Sequence, residues 1–201
     1  MLILFRLNDS TTQNTYNFTG ELVVQQNMVT TVEVLEYDFR KIGYCENPLA
    51  IPNPEENAIQ YADTSDIKFL TDVLVTPYND PDPHGDGIVD TMEYCLGPKI
   101  TSTPNPNDRV LYRIVNGDTT RINLGITEFK IRYFRDSLMA SGGTTLAEIF
   151  PNDLKKSPPL GITAMEIDIQ VENTATYNAG ENPYRTAFWR QIRLSSRNLN
   201  R

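Results

Sequence analysis

The stretch from Asp82 to Glu93, DPHGDGIVDTME, carries the residues best spaced for chemistry. Aligned with a calcium loop, it puts Asp82, Asp86, Asp90 and Glu93 at the first, fifth, ninth and twelfth places and Gly87 at the sixth. Hard carboxylate oxygens in that order suit calcium, which is the single cofactor the sequence brings forward; otherwise no cofactor is expected. Two residues argue against it. His84 at the third place is a nitrogen donor poorly matched to calcium, and Pro83 restricts the backbone. The simpler reading is a strand connection in which Asp86-Gly87 makes the turn, leaving Asp90 and Glu93 as solvent-facing strand residues.

The remaining reactive residues are sparse. His84 is the only histidine, so His-ligated metal sites and His-dependent hydrolysis lack parts. Glu166 and Asp168 fall on one face of a strand, a geometry glycosidases use, but solvated strand charges explain them more simply. Gly142-Gly143 lacks the lysine and spacing of a phosphate loop. No catalytic residue and no small-molecule substrate are therefore expected, and the chain does not read as an enzyme. Cys45 and Cys95 are either two free thiols or one disulfide. A disulfide fits an oxidising compartment, and two buried, small apolar side chains are the plainer alternative.

Acidic residues outnumber basic ones 26 to 18, a formal charge of -8. That balance disfavours a sequence-independent grip on nucleic acid or anionic lipid. Tyr184, Arg185, Phe188, Trp189, Arg190, Arg193 and Arg197 mix aromatic and basic character, but their alternation reads as a terminal strand with one packed face. Met1 to Phe5 is the only apolar run at the start. It is far short of the roughly 20 residues that span a bilayer, so neither anchor nor signal peptide is expected in it.

The elements that must hold these residues divide at Cys45. From Gly20 to Lys41 the residues Val24, Met28, Val32, Leu35, Phe39 and Ile42 recur at steps of four and three, one stripe of an amphipathic helix. Gly43 stops it and Pro48 prevents its resumption. Arg6 to Thr19 is polar on every side, an arm rather than a core element. Residues 1–45 thus form a helical arm and amphipathic helix, and residues 46–201 a head of antiparallel sheet. After the Glu46–Asn57 connection the period becomes two. Strands are expected around Ile67–Val75, Ile88–Leu96, Val110–Ile114, Phe129–Tyr133, Met165–Val171 and Phe188–Leu194, with Pro98–Asn107 and Ser137–Pro159 as surface excursions. The predicted class is α+β: a long N-terminal helix packed on an antiparallel sheet covered on one side.

Ordered short motifs agree with a known family. The segment Glu36 to Tyr44, EYDFRKIGY, resembles the helix end of W-type minor pilins and J-type pseudopilins, where a DxRxxGY-like segment closes the helix. In the same order follow a strand at Asp66–Val75, GIVDTMEY at Gly87–Tyr94, DRVLYRIVNG at Asp108–Gly117, GITEFKIRYF at Gly125–Phe134 and a tail ending Ser196-Arg197-Asn198. The likeness covers nearly the whole chain. It departs from the family in showing no leader ending in Gly before a Phe-Thr-Leu-Ile-Glu-like apolar helix: either that part has been trimmed away, or the start is placed too late, in which case Met1 to Phe5 would be the last turn of the membrane segment.

The resemblance implies a pilin-like fold and a structural minor subunit that helps assemble or tip a type IV pilus or type II secretion pseudopilus. It further implies that the Val24-to-Ile42 stripe is the assembly helix face. The implied partners are other pilin or pseudopilin subunits, and the inner membrane through a segment absent from this sequence. Its place would be the periplasm or a cell-surface filament, with the full-length form anchored in the inner membrane. The alternative is a secreted, calcium-stabilised binding module of adhesin or carbohydrate-binding type.

Overall fold

The computed structural model describes residues 22, 24–73, 85–139, 142–154, 159, 161–172, 187–195 and 197–199. The polar arm, Met1 to Phe5, Val75, Asp82 and His84 lie outside them. Helix α1 spans residues 24–39 and gives way to a turn that ends at Gly43. Every residue of the predicted stripe, Val24, Met28, Val32, Leu35, Phe39 and Ile42, is buried in one core cluster. The turn that follows the helix is held by partners from outside it. The Thr71 hydroxyl donates to the Lys41 carbonyl (3.0 Å) and the Asn198 amide to that of Ile42 (3.2 Å). Gly43 has φ 74°, and a Cβ there would lie 3.0 Å from the side chains of Pro54 and Ala58. Glycine is required on both counts.

Eight strands follow among the described residues: β1 (Ile59–Ala62), β2 (Asp66–Thr71), β3 (Asp90–Leu96), β4 (Arg109–Val115), β5 (Asp118–Leu138), β6 (Thr144–Ile149), β7 (Ala164–Glu172) and β8 (Ala187–Leu194). They form one antiparallel sheet in the order β1-β2-β3-β4-β5-β7-β8, with β6 hydrogen-bonded to β5 off this path. Single helical turns α2 (Pro54–Asn57) and α3 (Pro151–Leu154) and a closing 3-10 turn (Arg197–Leu199) complete the chain. β4 and β5 meet at Asn116-Gly117, both with positive φ, the backbone that a tight hairpin turn needs.

β5 is the spine. Its start pairs with β4, its middle with β7 and its last residues with β6. The change of partner coincides with Gly125 at φ 90° and a register shift between Ile126 and Glu128, a bulge that bends the strand. On one face of β7, Met165, Ile167, Ile169 and Val171 are buried in the core with Phe69, Tyr94 and the α1 stripe. Phe39 is central, its ring 5.6 Å from Phe69 and 5.4 Å from Tyr94.

The predicted class needs correction. The molecule is mostly antiparallel sheet with a helix of about 16 residues, not a long helix packed on a sheet. Periodicity overlooked β1, the first half of β5 and all of β6, and it had assigned β6 to a surface excursion. The reason is physical: β6 exposes four of its six residues, so no apolar alternation marks it. Such a segment becomes a strand because β5 offers a free edge, not because its own pattern demands one.

Candidate functional site

The most heavily engaged polar group of the helix is Asp38, one residue before its end. The side chain is buried and both of its oxygens have partners. Tyr94 of β3 donates its hydroxyl proton to Oδ2; Arg113 of β4 donates from Nε to Oδ2 (2.6 Å) and from Nη2 to Oδ1 (3.3 Å). Burial, with the Asp38 charge beside it, pushes the Tyr94 hydroxyl far above its ordinary value, so it stays a donor. Burial works against the Arg113 charge, but its bond to Asp38 outweighs that and raises its pKa. The trio fastens the end of α1 to two strands.

Beside it, an open groove of about 520 Å³ runs between α1 and the β4–β5 hairpin. Glu33, Val34 and Tyr37 form its helix wall; Arg113, Thr120 and Ile122 form the sheet wall. Lys41 sits 3.8 Å over the Tyr37 ring, a cation–π contact on the same exposed side of the helix. The outward helix residues Leu22, Val29 and Tyr37 are about half exposed, at 53%, 47% and 52%.

Of the predicted calcium ligands, Asp82 lies outside the described residues, and Asp86, Asp90 and Glu93 are not brought together. Asp86 Oδ1 accepts the Ile88 amide (2.9 Å), which makes a local turn. Asp90 accepts the Val73 amide (2.8 Å) and the Asn116 side-chain amide (2.6 Å). Glu93 lies across the sheet from Lys68, 3.6 Å away. Asp90 and Glu93, an odd number of residues apart on β3, face opposite ways. Among the described residues, no group of three or more His, Cys, Asp or Glu side chains could hold a metal ion. Instead the backbone at Asp86-Gly87 closes on Asp72, which is fully buried. Its carboxylate accepts the amides of Glu46 (3.1 Å), Asp86 (3.2 Å) and Gly87 (3.0 Å) and lies 3.6 Å from Cys45 Sγ. A Cβ on Gly85 would fall 2.1 Å from that carboxylate, so the close approach needs glycine.

The disulfide also needs correction: Cys45 and Cys95 are free. Cys45 sits against Asp72 just past the end of β2, whereas Cys95 pairs with Asp66 at its start. Six residues of strand separate the two sites by roughly 20 Å, several times the reach of a disulfide. Burial pushes both thiols upward, which leaves them poor nucleophiles.

On the sheet face opposite the core, Glu166 and Asp168 are held by arginines. Arg132 of β5 donates to Glu166 and lies 3.6 Å from Asp168, and Arg193 of β8 reaches Glu166 at 3.2 Å. Strand register puts these three side chains in a row across β5, β7 and β8. The pair therefore forms a cross-strand ion ladder, not an acid and a nucleophile.

Asp38, Asp72 and Arg113 went unrecognised as anchoring residues from sequence. Asp38 carried one available signal: it follows Leu35 by three positions and so falls on the edge of the buried stripe, where a carboxylate must find partners. Asp72 carried none, since its donors come from distant loops. Compared with family models, curated proteins and solved structures, the chain matches none of them.

Proposed function

We propose that this chain is a structural head subunit of a bacterial filament, a minor pilin of a type IV pilus or a pseudopilin of a type II secretion system. Its work is packing against neighbouring subunits, in the periplasm or at the cell surface, after being held at the inner membrane. One observation carries the reading. The EYDFRKIGY segment forms the end of a short helix, with Asp38 fastened to the sheet, while the outward side of that helix leaves Val29 and Tyr37 half exposed, Tyr37 on the wall of an open groove. Apolar residues left exposed on the outward side of a helix suit protein contacts.

The test is incorporation. In the bacterium that encodes it, the protein should appear in sheared filaments or in the assembled pseudopilus fraction. Val29→Glu and Tyr37→Glu should abolish that incorporation, while each exposed substitution changes the stability of the purified head by less than about 0.5 kcal/mol. Filament number and secretion unchanged on deletion of the gene, or a protein never found outside the cytosol, would overturn the reading.

A further inference from the structure

The β3–β4 connection, residues 97–108, contains a buried charge without a partner. Asp108 is wholly buried, and neither carboxylate oxygen has a hydrogen-bond donor. Such a group is costly unless it is neutralised or paired. Nearby cations are engaged elsewhere: Arg109 Nη1 donates to the Gly97 carbonyl (3.3 Å) and Lys99 Nζ to Asn107 Oδ1 (3.1 Å). The neighbouring groups are oxygens. Asn105, also buried, joins Asp108 to a second carboxylate, its carbonyl accepting the Asp108 amide (3.2 Å) and its side-chain amide donating to Glu172 at the end of β7 (2.9 Å). The Thr103 hydroxyl is turned to the same Asn105 carbonyl (3.3 Å). Burial pushes the Asp108 carboxyl upward; the nearby Thr103 hydroxyl opposes this, and the Glu172 charge adds to it.

We propose that Asp108, with Glu172, Thr103 and Asn105, forms a calcium site that fastens the β3–β4 loop to the end of β7. The donors are two carboxylates and neutral oxygens, with neither thiolate nor imidazole, a set for a hard cation. Calcium fits better than magnesium because it accepts carbonyl and bidentate carboxylate oxygens in irregular geometry, whereas magnesium demands a near-ideal octahedron. Two carboxylates imply weak binding, of the order of 0.1–1 mM, the range of extracellular calcium modules. The site is separate from the Asp82–Glu93 stretch, and the proposal does not depend on the filament reading.

The test is a melting series on the full chain, in EDTA and in calcium chloride up to 5 mM, roughly five times the weak end of that range. The wild type should gain several degrees in a saturable way. Magnesium chloride at the same concentrations should do much less. Asp108→Asn should lose the calcium response, yet in EDTA melt no lower than the wild type, because the neutral amide removes the unpaired charge. Glu172→Gln should weaken the response, which keeps the test decisive if Asp108→Asn fails to fold; Asp82→Asn should preserve it. No calcium shift in the wild type overturns the proposal, as does a shift of equal size in Asp108→Asn or an equal response to magnesium.

Discussion

Asp38 ties the end of the helix to two strands through polar contacts, and its energetics follow from desolvation. A carboxylate buried beneath a helix end is tolerable only because Tyr94 and Arg113 satisfy it. Asp38→Ala strands a partly buried arginine and a wholly buried hydroxyl. It should cost about 3 kcal/mol in urea unfolding, and Tyr94→Phe about 1 kcal/mol. Asp66 presents the opposite case. Burial, reinforced by the charges of Glu93 and Asp63 and opposed by Lys68, raises its pKa to about 6. A carboxyl raised in the folded state binds its proton more tightly there than in the unfolded chain. Its favourable contribution is therefore complete below the unfolded value near 4 and is lost as pH rises through about 6. Asp66→Asn should melt above the wild type at pH 7.5, and the difference should shrink towards zero as pH falls to 4. A difference independent of pH would mean that Asp66 is not the titrating group.

At the scale of elements, α1 is held by an apolar stripe, not by its own helical propensity. A helix of about 16 residues is marginal alone. Leu35 and Phe39 are inaccessible and lie in the cluster that includes Phe69 and Tyr94. Leu35→Asp should therefore destabilise the fold by about 4 kcal/mol or more, measured by thermal or urea unfolding, because it opens the core and buries an unpaired charge. Unchanged melting would place the helix on a different face. The bulge at Gly125 marks the same interplay in the sheet: it bends β5 where pairing with β4 on one edge gives way to pairing with β7 on the other.

For the molecule as a whole, stability rests on one continuous core and a continuous sheet, with no covalent brace between its two cysteines. Reducing agent should accordingly leave the melting temperature of the wild type unchanged, as should Cys95→Ser beyond a small packing effect. A melting point lowered by dithiothreitol would show that the thiols meet. The ion ladder of Arg132, Glu166 and Arg193 covers the face opposite the core with paired charge. On α1, Val29 and Tyr37 instead stay half exposed, Tyr37 on the groove wall, and this asymmetry is what the proposed assembly role uses.

The α1 stripe, the stop at Gly43 and six of the strand positions follow from the sequence, because burial on one face imposes a period that survives in residue type. The Asn116-Gly117 turn, which the strand pattern does not single out, is also a local feature, since positive φ restricts the choice of residue. Tertiary structure alone decided the rest. β1 and β6 are strands because a neighbouring edge was open, and the proportion of sheet to helix follows from that. Whether the acidic loop gathers a metal or closes on Asp72, and whether Cys45 meets Cys95, depends on where distant segments land. Spacing along a chain fixes which face a side chain takes within one element; it does not fix which groups from other elements will arrive there, and both the carboxylates and the thiols depended on that arrival.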